Sequence, residues 1–333
     1  MKIKRKAICA LIGMMSISFT GCNISPKEEV VQTYAWPIAT ASPEDTVTQI
    51  LAKKFAEEVS ILSDGKMKIE VYPNSILGGD RELLESCRDG DIPFVVQNTA
   101  PQASFIKEAA IFDLPCAFED IEEVRTVIDN EEFLFLMKEA YRNEGYELMG
   151  YADQGFRVMS TNKSVEEISN FKGQKIRTME NSNHLNFWRS IGASPTPMTF
   201  SEVYIGLQQN TIDAQENPYE VIVSNKLHEQ QKYIIETNHL VHLVSLIVSE
   251  EFYNDLSDEQ KKIIDVASKE AINYAREASD SRISDKKEII TNSGTQIVEL
   301  SDSLRNEMIE LSTSIYEDVR NLVGSSIVDL YTK

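Results

Sequence analysis

Residues 173–217 read GQKIRTMENSNHLNFWRSIGASPTPMTFSEVYIGLQQNTIDAQEN, and this stretch decides the fold. Gly173 precedes a short strand through Ile176, Arg177 and Met179. The helix that follows carries Leu185, Trp188 and Ile191 on one face and ends at Gly192. An extended Ser194–Met198 then leads to a second helix, from about Ser201, with Val203, Tyr204 and Leu207 turned inward, and to a strand over Thr211–Ala214. Strand and helix alternate, which predicts an α/β fold with mixed, largely parallel sheets.

The same alternation extends outward. On the amino-terminal side a strand near Val31–Ala35 precedes Ser42-Pro43-Glu44-Asp45, after which Val47, Ile50, Leu51, Phe55 and Val59 follow helical spacing. Met67–Tyr72 alternates as a strand does, completing a β-α-β unit. A helix over Arg81–Arg88 and the apolar run Phe94–Val96 add a second step. Ile111–Pro115 reads as a short extended segment, residues 121–144 as two helices split near Asn130, and Tyr146–Tyr151 as a strand leading into Gly155–Ser160. Towards the carboxyl terminus, Ser257 with Gln260 has the form of a capping box opening a long helix that runs to about Ser284. A strand at Thr295–Leu300 and a helix from Ser303 to about Val323 follow.

The 333 residues include 33 Lys and Arg against 53 Asp and Glu, a formal charge of −20 that repels nucleic acid at long range. The first residues are an address. Lys2, Lys4, Arg5 and Lys6 precede an apolar run from Ala7 to Phe19 and then Thr20-Gly21-Cys22. This is the pattern of a secretory signal, and two small residues before a cysteine resemble a lipoprotein box with Cys22 as the lipidated residue. Residues 1–21 are the expected signal and 22–31 a lipid-anchored tether. Cleavage would remove four positive charges and no negative ones, taking the net charge from −20 to −24. An acidic surface of this kind favours a monomer. Cys87 and Cys116 remain; a disulfide is compatible with export, while their apolar neighbours suit two small buried thiols.

Catalytic signatures are missing: there is no GxSxG elbow, P-loop, HExxH or dinucleotide fingerprint. His239 and His242 form an HxxH pair that could place two ligands on a helical face. Their Val and Leu neighbours favour an extended run with His239 as a surface or hinge residue. No metal or cofactor is expected. Arg157 and Arg177 stand out because each sits in a β-type segment. An arginine leaving a strand end can point into the crevice where open α/β sheets bind ligands, and its planar fork matches a carboxylate. An exposed position or a structural ion pair is the alternative.

Taken in order, GFR at 155–157, FKGQKIR at 171–177, GASPTPMTFSEVYIGLQQNTIDAQENP, QQKYIIETNH, YPNSILGGDRELLESCRDGDI and FDLPCAFED resemble the extracytoplasmic solute receptors of TRAP transporters, the DctP family. The resemblance covers about Tyr34 to Leu256. It implies a two-lobed periplasmic-binding-protein-like fold with a hinge and a long bracing helix, with one lobe from 32–154 plus 243–282 and the other from 155–242 plus 283–333. It also implies capture of a small organic acid for integral membrane permease subunits. Residue by residue, Arg177 would bind the ligand carboxylate, Arg157 would be a second cationic contact, and Asn217 would orient the carboxylate. Phe200 would pack on the ligand, with Asp80, Gln97 and Asn98 lining the opposite lobe. The wording is similar to that of sialic-acid receptors but departs at Asn98, where an acid is expected, and at Pro101. A sialic acid, a C4-dicarboxylate and another sugar acid all stay open as ligands. So do a sensor role beside a signalling receptor and an exported enzyme acting on a sugar acid.

Overall fold

The computed structural model describes residues 33–332; the expected signal, tether and Cys22 lie outside them. Among the described residues nine strands form one mixed sheet: β1 (Tyr34–Ala39), β2 (Met67–Tyr72), β3 (Phe94–Asn98), β4 (Tyr146–Thr161), β5 (Lys175–Thr178), β6 (Ser194–Pro197), β7 (Ala214–Asn217), β8 (Tyr233–Ser249) and β9 (Gln296–Glu299). Their order is β2-β1-β3-β8-β4-β7-β5-β6, with β9 paired to β8. Five of the eight pairings are parallel, so the largely parallel expectation holds. The exceptions all involve the two long central strands, β4 and β8, which run antiparallel to each other and to one neighbour each.

Those two strands join the ends of the molecule. Both are buried along nearly their whole length, and the polar residues they carry inside, such as Asp153, Arg157, Thr237 and His239, find hydrogen-bond partners there. Their register slips at the same level. β4 bulges between Asp153 and Phe156, where Gly155 takes a left-handed φ of +72°, and on β8 Asn238 is left-handed at +42°. A side chain at Gly155 would strain the backbone and bring a Cβ to 3.0 Å from Ile283 Cδ1, so the bend is written into that glycine.

The capping box is present: Ser257 and Gln260 exchange hydrogen bonds and open a helix over Asp258–Asn292. Its first half packs Ile264, Ala267, Ala271 and Ala275 on Val47, Leu51 and Phe55 of helix α1 (Val47–Leu62), where the alanines permit close approach. Its second half places Ile283 and Ile290 on a separate core built from Val158, Val203, Leu207 and Ile234. One helix therefore braces both ends of the sheet. It continues past Ser284 because that second core, together with a Lys286–Asp45 ion pair at 2.5 Å, extends its buried face.

Other differences have local causes. Ile111–Pro115 is not extended: Lys107–Asp113 is a 3₁₀ helix, and it carries Asp113 into the interior to accept from Asn181, Asn183 and His184. The strand expected over Thr211–Ala214 begins only at Ala214. The final helix divides into Asp302–Leu311 and Thr313–Val323, and a further helix, Ser325–Tyr331, buries Tyr331 against Phe112, Phe118 and Phe133. Cys87 and Cys116 are free, the first buried and the second half-buried. No helix among the described residues is long and apolar enough to cross a membrane.

Candidate functional site

A cleft opens beside the carboxyl ends of β3, β5 and β7, bordered on one side by helix α2 (Asp80–Arg88). Its outer chamber, about 440 Å³, is lined by Gly79, Asp80, Arg81, Arg177, Glu180, Met198 and Phe200, among others. A recess of about 40 Å³ adjoins it, lined by Asp80, Asn98, Arg177, Met179, Phe200, Asn217 and His242. At the mouth Arg81 and Glu180 approach across the gap to 3.5 Å.

Arg177 belongs to both chambers. It is the third residue of β5 and only 2% exposed, and its Nε and Nη2 donate to the Met198 carbonyl at 2.9 and 2.6 Å. Phe200 lies under the guanidinium, 5.7 Å from ring centroid to Cζ. Nη1 is buried and has no partner, and no carboxylate forms an ion pair with this side chain among the described residues. Burial pulls the guanidinium down to about 10, yet it stays charged at neutral pH. A buried cation with an unmet donor is a costly arrangement, and an anion relieves it.

Arg157 is the opposite case. It sits on β4, and Glu216 of the adjacent β7 clasps it: Nε meets Oε2, and Nη2 donates to Oε1 at 2.9 Å and to the Glu216 carbonyl at 2.7 Å. Burial alone would raise the Glu216 carboxyl, but Arg157 and His239 outweigh it and hold the group well below its usual range. Arg157 Nη1 meets His242 Nδ1, and Nη2 donates to Asn217 Oδ1 at 3.2 Å. Arg157 lines neither chamber; its charge lies one layer behind the wall.

The remaining sequence candidates divide the same way. Asp80 opens into both chambers, and burial by the surrounding walls raises its carboxyl above the usual value, against a hydrogen bond from Gln97. Gln97 stands behind it, its Nε2 donating to Asp80 Oδ1 and to the Asp80 carbonyl, both at 2.9 Å. Asn98 lines the recess, but its amide is engaged. Nδ2 donates to the Leu243 carbonyl at 2.8 Å and reaches His242 Nδ1 at 3.3 Å, and Oδ1 accepts from Ala100 N. Asn217 lines the recess with its Nδ2 donating to Gln215 Oε1.

The HxxH pair lies on a strand rather than a helix. His239 is fully buried, not a surface residue: it stacks on Phe187 with its ring 1° from parallel and contacts Glu216 at 3.2 Å. Sequence reasoning missed Glu216 and named His242 only as half of the HxxH pair, not as a residue of the cleft. The first stands in the DAQEN segment beside Asn217; the second is a polar residue recurring inside the apolar HLVHLV run, the one signal that could have marked it.

A two-ended sheet with long shared strands, a bracing helix and a cleft built around an unpaired arginine defines the solute-binding class of receptor. The chain belongs to the family described as bacterial extracellular solute-binding protein, family 7 (DctP), which it matches over residues 38–321. It is 33% identical over 216 residues to the sialic acid-binding periplasmic protein SiaP of Vibrio cholerae, covering 65% of this chain and 67% of that one. Its fold superposes on the sugar acid binding protein DctPAm of Advenella mimigardefordensis in complex with galactonate, at a TM-score of 0.86 and 28% identity over 90% of this chain and 97% of the other. A TRAP periplasmic solute-binding protein from Shewanella oneidensis with bound succinate gives a TM-score of 0.86 and 26% identity, over 90% and 98%. The protein is thus an extracytoplasmic solute receptor of the TRAP type and not an enzyme.

Proposed function

We propose that the cleft captures a small organic acid, with Arg177 receiving its carboxylate. The observation that carries this reading is the buried, unpartnered Nη1 of Arg177 in a wall shared by both chambers. A carboxylate entering there loses water and regains charge-assisted hydrogen bonds, which makes its burial favourable. Asn217 orients the acid group, Phe200 packs on the ligand, and Asp80 and Asn98 border it from the other side. Gln97 holds Asp80, and Arg157, its charge met by Glu216, acts from behind by holding Asn217 rather than as a second cationic contact. The galactonate and succinate held by similar proteins support an acid as the ligand class.

The two lobes, 32–154 plus 243–282 and 155–242 plus 283–333, close by a hinge at the paired irregularities around Gly155 and Asn238. Closure changes the outer surface, and permease subunits in the membrane read that change. Cys22 carries the lipid that tethers the receptor, which works as a monomer. A thermal-shift panel of sialic acids, aldonates, uronates and C4-dicarboxylates tests the central contact. At least one acid should raise the melting temperature of the wild type and leave Arg177→Ala unmoved; equal stabilisation of both would refute it.

A further inference from the structure

We infer that His242 is a specificity-determining residue whose Nε2–H, in the recess, reads an uncharged oxygen of the solute, so that the cleft takes a hydroxylated monocarboxylate in preference to a dicarboxylate. This inference rests on the Arg177 reading above. The tautomer follows from the donors around the ring. A guanidinium can only donate, so Nδ1 accepts from Arg157 Nη1 and also faces the Asn98 amide nitrogen at 3.3 Å. The proton therefore resides on Nε2, which has no protein partner among the described residues, in a side chain that lines the recess. Asn98 and Arg157 are positioning residues for this donor. Burial, with Arg157 beside it, holds the imidazole well below its ordinary range, so it stays neutral.

Charge counting excludes a second carboxylate. Arg157 is neutralised by Glu216, and among the described residues the remaining cation lining the cleft besides Arg177 is Arg81, an exposed mouth residue near Glu85 and Glu180. A ligand anchored on Arg177 would turn its far end toward Asp80, Asn98 and His242, where a second negative charge meets a carboxylate and no counterion. A hydroxyl, by contrast, can donate to Asp80 and accept from His242.

The test compares two four-carbon acids, D-erythronate and succinate, by calorimetry on the full chain, with galactonate and galacturonate as longer hydroxy acids. We expect the best hydroxy acid to bind at least about tenfold tighter than succinate. His242→Leu should weaken that hydroxy acid by about tenfold, and His242→Gln, which keeps an acceptor and a donor, should restore most of the loss. Succinate binding as tightly as the hydroxy acids overturns the inference and leaves the Arg177 reading standing. Undiminished hydroxy-acid binding by His242→Leu overturns the role of His242. Should that variant fail to fold, the wild-type comparison still decides the class of ligand. No binding of any acid removes both the inference and the reading beneath it.

Discussion

Arg157 and Arg177 are both buried arginines on strands that flank β7, and they differ in one respect: the Glu216 carboxylate pairs with the first, and among the described residues no carboxylate pairs with the second. A neutralised cation in the interior is a structural element, whereas one left without a counterion is a vacancy of charge that a solute can fill. The difference separates fold from function on two strands of one sheet, either side of β7.

Breaking the structural half should have the largest effect. Arg157→Ala strands the Glu216 carboxylate in the interior and should cost about 3–5 kcal/mol of unfolding free energy, read by chemical denaturation. Arg177→Ala should leave stability within about 1 kcal/mol of the wild type, or raise it, because it removes an uncompensated buried charge. Its cost should fall on binding instead, a loss of about 2–5 kcal/mol or some 30-fold and upward, measured by calorimetry.

The pH dependence sharpens the same contrast. Glu216 is held well below its ordinary value of 4.5, so its contribution to stability is fully present above about pH 4.5 and is lost as pH falls from there through the folded value. Asp80 and Glu220 shift upward and work in the opposite sense, so the wild-type profile is a balance. Glu216→Gln isolates the term: melting temperatures followed from pH 6 to pH 3 should fall less steeply in the variant. A smaller effect is expected of Arg177→Lys, which keeps the charge and loses the fork, weakening binding by about tenfold. Phe200→Ala should cost least, about 0.5–2 kcal/mol of affinity from the lost contact beneath the guanidinium.

Much of this was legible in the chain, for reasons that differ by residue. The β-α-β alternation and the Ser257–Gln260 cap are local signals, encoded within a few positions, and both appear in the structure. Arg177, Asp80, Asn98, Phe200 and Asn217 were singled out from ordered motif wording, and the fold gathers all five around one cleft. What stayed hidden was pairing. Nothing local in GFRVMS announces that Arg157 meets Glu216, 59 positions later, or that the Asn98 amide turns toward the β8 backbone. The 3₁₀ turn at Lys107–Asp113 was hidden likewise, since its buried Asp113 depends on Asn181, Asn183 and His184 arriving from a distant helix. His239 reads as a surface or hinge residue from its Val and Leu neighbours alone; a stacked Phe187 and a carboxylate partner, both distant in sequence, place it in the interior.

A crystal structure of the receptor with the acid that binds it best tests the central claim most directly. The account places a carboxylate oxygen within hydrogen-bond distance of Arg177 Nη1, with Arg157 still clasped by Glu216. A ligand seated elsewhere, with Nη1 of Arg177 still unpartnered, would contradict it.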